Sequence, residues 1–396
     1  MVKRDDSPAD FATPESFASG GLQGLEEAGL RRHLAASDRG AGARIERHGR
    51  TLISFCCNDY LGLSQHPDVV NAARDALLKW GTGAGASRLV SGDNSLNHKL
   101  ESALADFRDC EAACLFGSGY LANIGVIPVF AGARDLVLID ALAHACLHAG
   151  ARLGGATVRP FGHNDMADLA RLLGAERHRY RHCLIVTEGI FSMDGDRAPL
   201  PEISALAKAR KAWLLVDDAH GLGVSGRGGR GSVFAFGRKL AVDLQTGTLS
   251  KAAGSYGGYV CASRPVIELI RNRARSFIYT TGLPPATLAA ACEALTIIRR
   301  DSALRARPLA HARRFSGALG LKAPVSPIVP LIIGPASDAM AASAGLEERG
   351  FLVTAIRPPT VPEGTARLRF TFSAAHRSDE VIALADAVRE IGLAAT

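Results

Sequence analysis

An α/β fold built on a mostly parallel sheet, followed by a smaller α+β unit, is what this chain predicts. Two patterns carry that expectation. Between Ala112 and Asp218, short apolar runs bounded by turn residues alternate with helical stretches. Strands alternating with helices argue for a parallel sheet covered on both faces. Beyond about Pro284 the chain changes to long helices with the strand-like runs I-V-P-L-I-I and L-R-F-T-F among Pro-rich loops, as in a smaller α+β domain. A length of 396 residues at 47% hydrophobic content allows a large core and two or three domains.

Taken in order, the first twenty or so residues, rich in Ser, Pro, Asp and Ala, read as a flexible arm. Helical spacing follows from Leu22 to Leu34, T-L-I-S-F-C-C is strand-like before the N-D-Y-L-G-L turn, and an amphipathic helix runs between Asp68 and Trp80. The apolar strands are A-A-C-L-F, L-V-L-I-D, C-L-I-V-T-E and W-L-L-V-D-D. Between them lie the helical stretches L-A-N-I-G-V-I, H-A-C-L-H-A-G-A-R-L, M-A-D-L-A-R-L-L and I-S-A-L-A-K-A-R-K. The expected division is an arm and helix at 1–50, a large domain at 51–284 and a small one at 285–396. Ala112 to Ala133 carries no charge, but its glycines, Ser118, Asn123 and Pro128 fit a strand, turn and buried helix better than a membrane span.

Composition excludes several classes of function. The 46 Lys+Arg outnumber the 39 Asp+Glu to give +7, yet they are scattered, so no nucleic-acid tail is expected. A modest positive field suits an anionic small substrate or cofactor. The 8 Cys form no C-x-x-C pair and read as reduced, mostly buried thiols. The acidic N-terminus is unlike a transit peptide and lacks the apolar core of a signal peptide, so a cytoplasmic location is expected, with no membrane partner. His144 and His148 stand one helical turn apart but lack a third ligand, and no metal is expected.

The chemistry gathers where the strands end, since ligands of parallel sheets bind at the carboxyl ends. Glu188, Ser192, Asp217, His220 and His144 all fall at or just after such ends. Thirty-four residues after Asp217 comes Lys251, in the Gly/Ser-rich run T-L-S-K-A-A-G-S-Y-G-G-Y. An amine for a Schiff base and an acid for a pyridinium nitrogen are what pyridoxal phosphate requires. F-G-S-G-Y-L-A-N-I adds a helix start whose amides, at Gly119 and Tyr120, suit a phosphate. G-L-G-V-S-G, from Gly221 to Gly226, matches a dinucleotide pattern, but D-D-A-H separates it from the strand and more glycines replace the helix, which argues against a nicotinamide cofactor. In T-A-R-L-R-F-T-F, Arg367 and Arg369 alternate along a strand-like run and are read as facing opposite sides, one into a site and one to solvent.

Together these segments resemble the α-oxoamine synthases, fold-type-I pyridoxal-phosphate enzymes, from about Leu30 to His376. The resemblance rests on N-D-Y-L-G-L, G-A-S-R-L-V-S-G with H-K-L-E, F-G-S-G-Y-L-A-N, D-A-L-A-H-A, T-E-G-I-F-S-M-D-G-D, V-D-D-A-H-G-L-G, T-L-S-K-A and A-R-L-R. It implies an aspartate-aminotransferase-like fold with a seven-stranded sheet, and a homodimer with its site at the interface. It also implies that Lys251 holds pyridoxal phosphate and later acts as base, while Asp217 pairs with the ring nitrogen. His220 and Ser192 would serve the phenolic oxygen, and His144 would stack on the ring. Gly119, Tyr120 and Thr248 would bind the phosphate, together with Thr280 of a second copy. Arg369 would take the amino-acid carboxylate, with Arg31 and Asn58 as acyl-substrate contacts. A-I-R-P-P-T-V-P at 355–362 is most similar to the branch that condenses L-alanine with pimeloyl-CoA or a pimeloyl-carrier protein; a glycine acetyltransferase of the same family is the alternative, and a non-catalytic subunit is disfavoured because Lys251 is present. Cys57 and Gly282 depart from the usual residues near the presumed substrate channel.

Overall fold

Residues 13–393 are described by the computed structural model, and a seven-stranded sheet forms its centre. In space the strands run Ala112–Phe116, Gly258–Ala262, Leu244–Thr248, Trp213–Asp217, Cys183–Glu188, Leu136–Asp140 and Thr157–Phe161. Gly258–Ala262 runs against both its neighbours and the remaining pairings are parallel. The mostly parallel sheet is therefore as expected, and the four apolar runs all lie on strands.

Those runs are apolar throughout because helices cover both faces. On one face Val137, Ile139, Val186 and Leu215 pack with Val126 and Ile127 of the helix Gly119–Phe130 and Leu147 of the helix Ala145–Leu153. On the other, Leu138, Ile185, Leu214 and Val216 meet Leu169 and Leu172 of Met166–Glu176 and Ile203 of Leu200–Ala209. Alternate residues of one strand thus serve opposite cores.

Three strands escape the hydrophobic pattern. Thr157–Phe161 is an edge strand with Arg159 and Pro160 exposed. Leu244–Thr248 and Gly258–Ala262 are cross-strand partners in which Gly247 sits opposite Tyr259. A side chain at 247 would meet the Tyr259 hydroxyl at 2.5 Å, so the gap in the pattern is a packing requirement.

The N-terminal reading needs correction. A helix, Pro14–Glu27, begins within the stretch read as an arm, whose first twelve residues lie outside the described residues. Thr13 and Ser16 cap it reciprocally and Pro14 opens it. It buries none of its side chains, which is why hydrophobic spacing did not find its start. The spacing read as far as Leu34 stops at Glu27, where Gly29 (φ 64) turns the chain and Leu30 donates to the Leu25 carbonyl.

Past Pro284 the helices Pro285–Arg300 and Ser302–Ala318 precede an antiparallel sheet of Ile328–Gly334, Ala366–Thr371 and Thr354–Ile356. Phe315, Phe370 and Phe372 form its aromatic core together with Phe55. The early strand Arg50–Ser54 pairs in parallel with Phe351–Leu352. His376 stacks on Phe55 at 4.0 Å, accepts from the Ser373 amide at 2.9 Å and reaches the Ser54 carbonyl at 2.9 Å. Burial holds its pKa down at about 4.

Beside the central strand ends, Arg108 and Asp218 form an ion pair at 2.8 Å with both side chains fully buried. Asp218 also accepts from the Ser232 amide at 2.8 Å. Breaking one partner of such a pair leaves an uncompensated charge in the interior. Among the described residues no helix is long and apolar enough to cross a membrane.

Candidate active site

Lys251 sits in the turn between the strands Leu244–Thr248 and Gly258–Ala262. The turn is tight: Leu249 donates to Gly257, Gly254 to Lys251 and Ser255 to Leu249 through their backbones. Gly254 adopts φ 61, and a side chain there would lie 2.2 Å from the Ser64 amide nitrogen. Only glycine meets both demands.

The Lys251 amine lies 2.9 Å from His220 Nε2, and His220 Nδ1 lies 2.7 Å from the Tyr60 hydroxyl. Tyr60 in turn reaches Asn58 Oδ1 at 3.2 Å, and Arg369 donates to the same oxygen at 3.3 Å. When Tyr60 donates to Asn58, its oxygen accepts Nδ1–H and Nε2 presents a lone pair to the amine. Burial holds the Lys251 pKa below its ordinary 10.5 against the upward pull of Asp217 and Glu188, and Arg369 adds to the lowering. Burial, with Lys251, Arg369 and His144 nearby, keeps His220 well below its ordinary value and therefore neutral.

Asp217 ends its strand beside this pair. Its Oδ2 accepts from Asn123 Nδ2 at 2.6 Å and its Oδ1 from the Ala219 amide at 2.9 Å. Asn123 was given no role from sequence, although a buried amide in an otherwise apolar helix was the available signal. The neighbouring strand ends in Glu188, in register with Asp217, and Glu188 Oε1 accepts the His144 amide at 2.6 Å. Burial and then Asp217 raise the Glu188 pKa well above the usual carboxylate range. His144 caps the helix Ala145–Leu153 and is held neutral, chiefly by burial.

The helix Gly119–Phe130 starts against Thr248. Ser118 takes the amides of Leu121 through its hydroxyl and of Ala122 through its carbonyl. The two preceding amides, of Gly119 and Tyr120, stand at the positive end of the helix. A Cβ at Gly119 would lie 3.2 Å from the Thr248 side chain, which places these amides next to that hydroxyl. Thr248 Oγ1 donates to Gly257 at 2.9 Å and contacts Ser250 Oγ at 2.7 Å. An amide pair with adjoining hydroxyls forms a fitting phosphate cradle. With Lys251 and the amide-held Asp217 beyond it, the donor set fits pyridoxal phosphate.

A cleft of about 700 Å³ opens beside these groups, lined among others by Ala143, His144, Ser192, Asp194, Thr360 and Arg367. Here the two arginines differ from expectation. Arg367 and Arg369 are both buried, since residues two apart on a strand share a face. Both turn toward the Ser192–Asp194 loop: Arg369 Nε donates to the Ser192 carbonyl and Arg367 pairs with Asp194. The reading of one inward and one solvent-facing arginine is thereby corrected.

Asn58 and Arg369 thus join the Lys251 network directly, whereas Arg31 does not. It pairs with Glu26 at 3.1 Å and lines an adjoining cleft of about 730 Å³ that shares Thr360 with the first. Thr280 of the same chain lines a small separate pocket with Arg88, Asn97 and Gly117. Gly221–Gly226 leads into short 3-10 turns instead of a helix, unlike a dinucleotide motif. At Gly282 a side chain would meet the Gly92 carbonyl at 2.8 Å, a physical reason for the departure there.

With this geometry in view, the family model for aminotransferase class I and II matches residues 50–388, and the chain belongs to that family. Within it the chain is an α-oxoamine synthase, as its relatives make plain. The 8-amino-7-oxononanoate synthase of Methylobacterium sp. (strain 4-46) is 57% identical, over 96% of this chain and 98% of its own. Serine palmitoyltransferase from S. paucimobilis, solved with a bound PLP–myriocin aldimine, superposes with a TM-score of 0.89 at 32% identity, covering 95% of this chain and 98% of that one. The 8-amino-7-oxononanoate synthase structure from Francisella tularensis gives 0.73 at 27% identity, covering 86% and 98%.

Proposed function

We propose that this chain catalyses the decarboxylative condensation of L-alanine with a pimeloyl thioester, giving 8-amino-7-oxononanoate, carbon dioxide and the free thiol, a step of biotin biosynthesis. The observation that carries the reading is the buried Lys251 amine, 2.9 Å from a neutral His220 and flanked by Asp217, in a chain 57% identical to an enzyme of that name. Pyridoxal phosphate, when bound, supplies the electron sink that stabilises charge at the amino-acid Cα.

The chain's own groups divide the remaining work. Lys251 would anchor the cofactor and, once released from it, take the Cα proton on Nζ; burial lowers its pKa and so favours the neutral amine that a base requires. Asp217, oriented by Asn123 and Ala219, would be the acidic partner of the ring nitrogen. His220 and Ser192 serve the phenolic oxygen, and His144, fixed by Glu188 through its amide, covers the ring. Gly119, Tyr120 and Thr248 hold the phosphate. Arg369, already turned into the site, takes the amino-acid carboxylate, with Asn58 beside it and Arg31 on the acyl side in the adjoining cleft.

A homodimer in the cytoplasm completes the proposal, with Thr280 of a second copy at the phosphate. The exposed Tyr120 and Tyr279, each next in sequence to a phosphate-site residue, support an interface there. Residues 51–284 are taken as the cofactor-holding domain and 285–396 as the smaller one, to which Arg50–Ser54 lends a strand.

A donor and amino-acid panel with mass spectrometry of the product tests the reaction. Alanine with pimeloyl-CoA or pimeloyl-carrier protein should yield 8-amino-7-oxononanoate, and the two donors should differ in rate. Faster turnover of glycine with acetyl-CoA would replace this reading by the acetyltransferase one.

A further inference from the structure

His163 lies outside the groups assigned above, yet it touches both sides of the substrate cleft. It follows the edge strand Thr157–Phe161, and its ring meets the Phe191 ring edge-on at 4.4 Å. Nδ1 lies 2.9 Å from Asp140 Oδ1 and Nε2 lies 3.0 Å from Asp196 Oδ2. Ionised carboxylates only accept hydrogen bonds. Both bonds form together when both ring nitrogens carry protons, so this geometry selects the imidazolium. Charge-assisted bonds of this kind are the stronger class.

The two acids belong to opposite walls. The chain leaving Asp140 becomes Ala141–Ala145, which lines the cleft and carries His144. The chain arriving at Asp196 brings Ser192, Met193 and Asp194, which line it from the other side. That second loop is closed on itself by backbone bonds from Phe191 to Asp196 and from Gly195 to Phe191, which link Asp196 to the residues lining the cleft. Asn164 reinforces the junction, donating its amide to Asp140 at 2.9 Å and its side chain to Asp196 at 2.7 Å.

We propose that His163 is a positioning residue: as a cation held between Asp140 and Asp196, it ties the two walls of the substrate cleft at a fixed spacing. The proposal rests on the reading of that cleft as the substrate site. It agrees with the raised pKa of His163, about 10, where the bonds to Asp140 and Asp196 outweigh a burial that acts the other way. Glu188 and His148 face Asp140 from the neighbouring strand and helix, and Arg367 faces Asp194 in the loop. The tie therefore persists through neutral pH and releases as pH rises through about 10.

The first test needs neither cofactor nor substrate. In histidine-labelled protein without cofactor, NMR should show the His163 ring doubly protonated at neutral pH, titrating far above the other histidines. Asp196→Asn should move that titration toward ordinary histidine values. A neutral His163 at neutral pH overturns the proposal whatever reaction the enzyme catalyses. The second test is kinetic. His163→Gln and Asp196→Asn should each raise KM for the amino acid by about tenfold while kcat and the cofactor absorption band change little, because small misplacements at a site are costly. Unchanged KM in both variants overturns the role, as does a loss of cofactor binding that accounts for the whole effect. Failure of the reaction assignment would appear instead as no turnover in the unsubstituted enzyme.

Discussion

The floor of the site and its walls are made by different means. Asn123, Asp217, Glu188 and His220 are all buried, stand on or beside strand ends, and bond to one another's segments. The walls draw on loops from distant stretches: Ser192–Asp194, Pro359–Pro362 and, in the adjoining cleft, Gly29–His33. A floor on rigid elements holds reactive atoms with little error, whereas loop walls can vary with the substrate. The comparison teaches that damage to the floor should abolish chemistry and damage to the walls should change substrate affinity.

The largest break expected is Lys251→Ala. It should remove the lysine trapped by borohydride and lower turnover by at least about 10²-fold, the lower range for a positioned base. Normal turnover in that variant would remove Lys251 from the floor altogether. Next comes Glu188, where two substitutions separate charge from hydrogen bonding. Glu188→Ala strips the acceptor from the His144 amide and should cost roughly tenfold in kcat/KM, the value of about one buried hydrogen bond. Glu188→Gln keeps an acceptor. Because burial and Asp217 raise the Glu188 pKa and so favour its neutral form, the glutamine variant should stay within about threefold of the parent. A deficit in the glutamine variant equal to that of the alanine variant would show that a negative charge is needed there.

A smaller effect should separate stability from site chemistry. His376 has a folded pKa of about 4 against 6.5 for the free side chain, so the unfolded chain binds more protons between those values. Stability should be full above pH 6.5 and decline as pH falls toward 4. Thermal midpoints across that window should show a shallower decline in His376→Gln, at the cost of a lower midpoint at neutral pH. Least of all should be Arg31→Ala. Its exposed pairing with Glu26 is worth little, so a rise in KM for the acyl donor of no more than about fivefold, with the cofactor band intact, is expected. A vanished band would move Arg31 from wall to floor.

Much of this contrast was legible in the residues. Apolar strands ending in Asp140, Glu188 and Asp217 announced both the sheet and its reactive edge, because helices on both faces force every strand position to be apolar until the end. What stayed hidden obeys other rules. Gly247 interrupts its strand to admit Tyr259, and Thr157–Phe161 is polar because it lies at an edge. The Pro14–Glu27 helix is fixed by its cap rather than by burial. Arg367 and Arg369 are two positions apart and so share a face, a consequence of strand geometry that the first reading inverted. Asn123, Tyr60 and His163 act through partners far away in sequence, and of the three only Asn123, a lone amide in an apolar helix, carries a local mark.

The adjacent acids Asp217 and Asp218 carry one further consequence. One faces the site and the other lies fully buried against Arg108, so the two neighbours have opposite errands and identical chemistry. A slip of one residue as this strand docks would leave a carboxylate in only one of the two places and put Val216 or Ala219 in the other, so that either the site loses its acid or Arg108 is left unpaired. The doubled aspartate therefore fixes the register at the strand's end, because one alignment alone gives Asn123 and Arg108 each an acid.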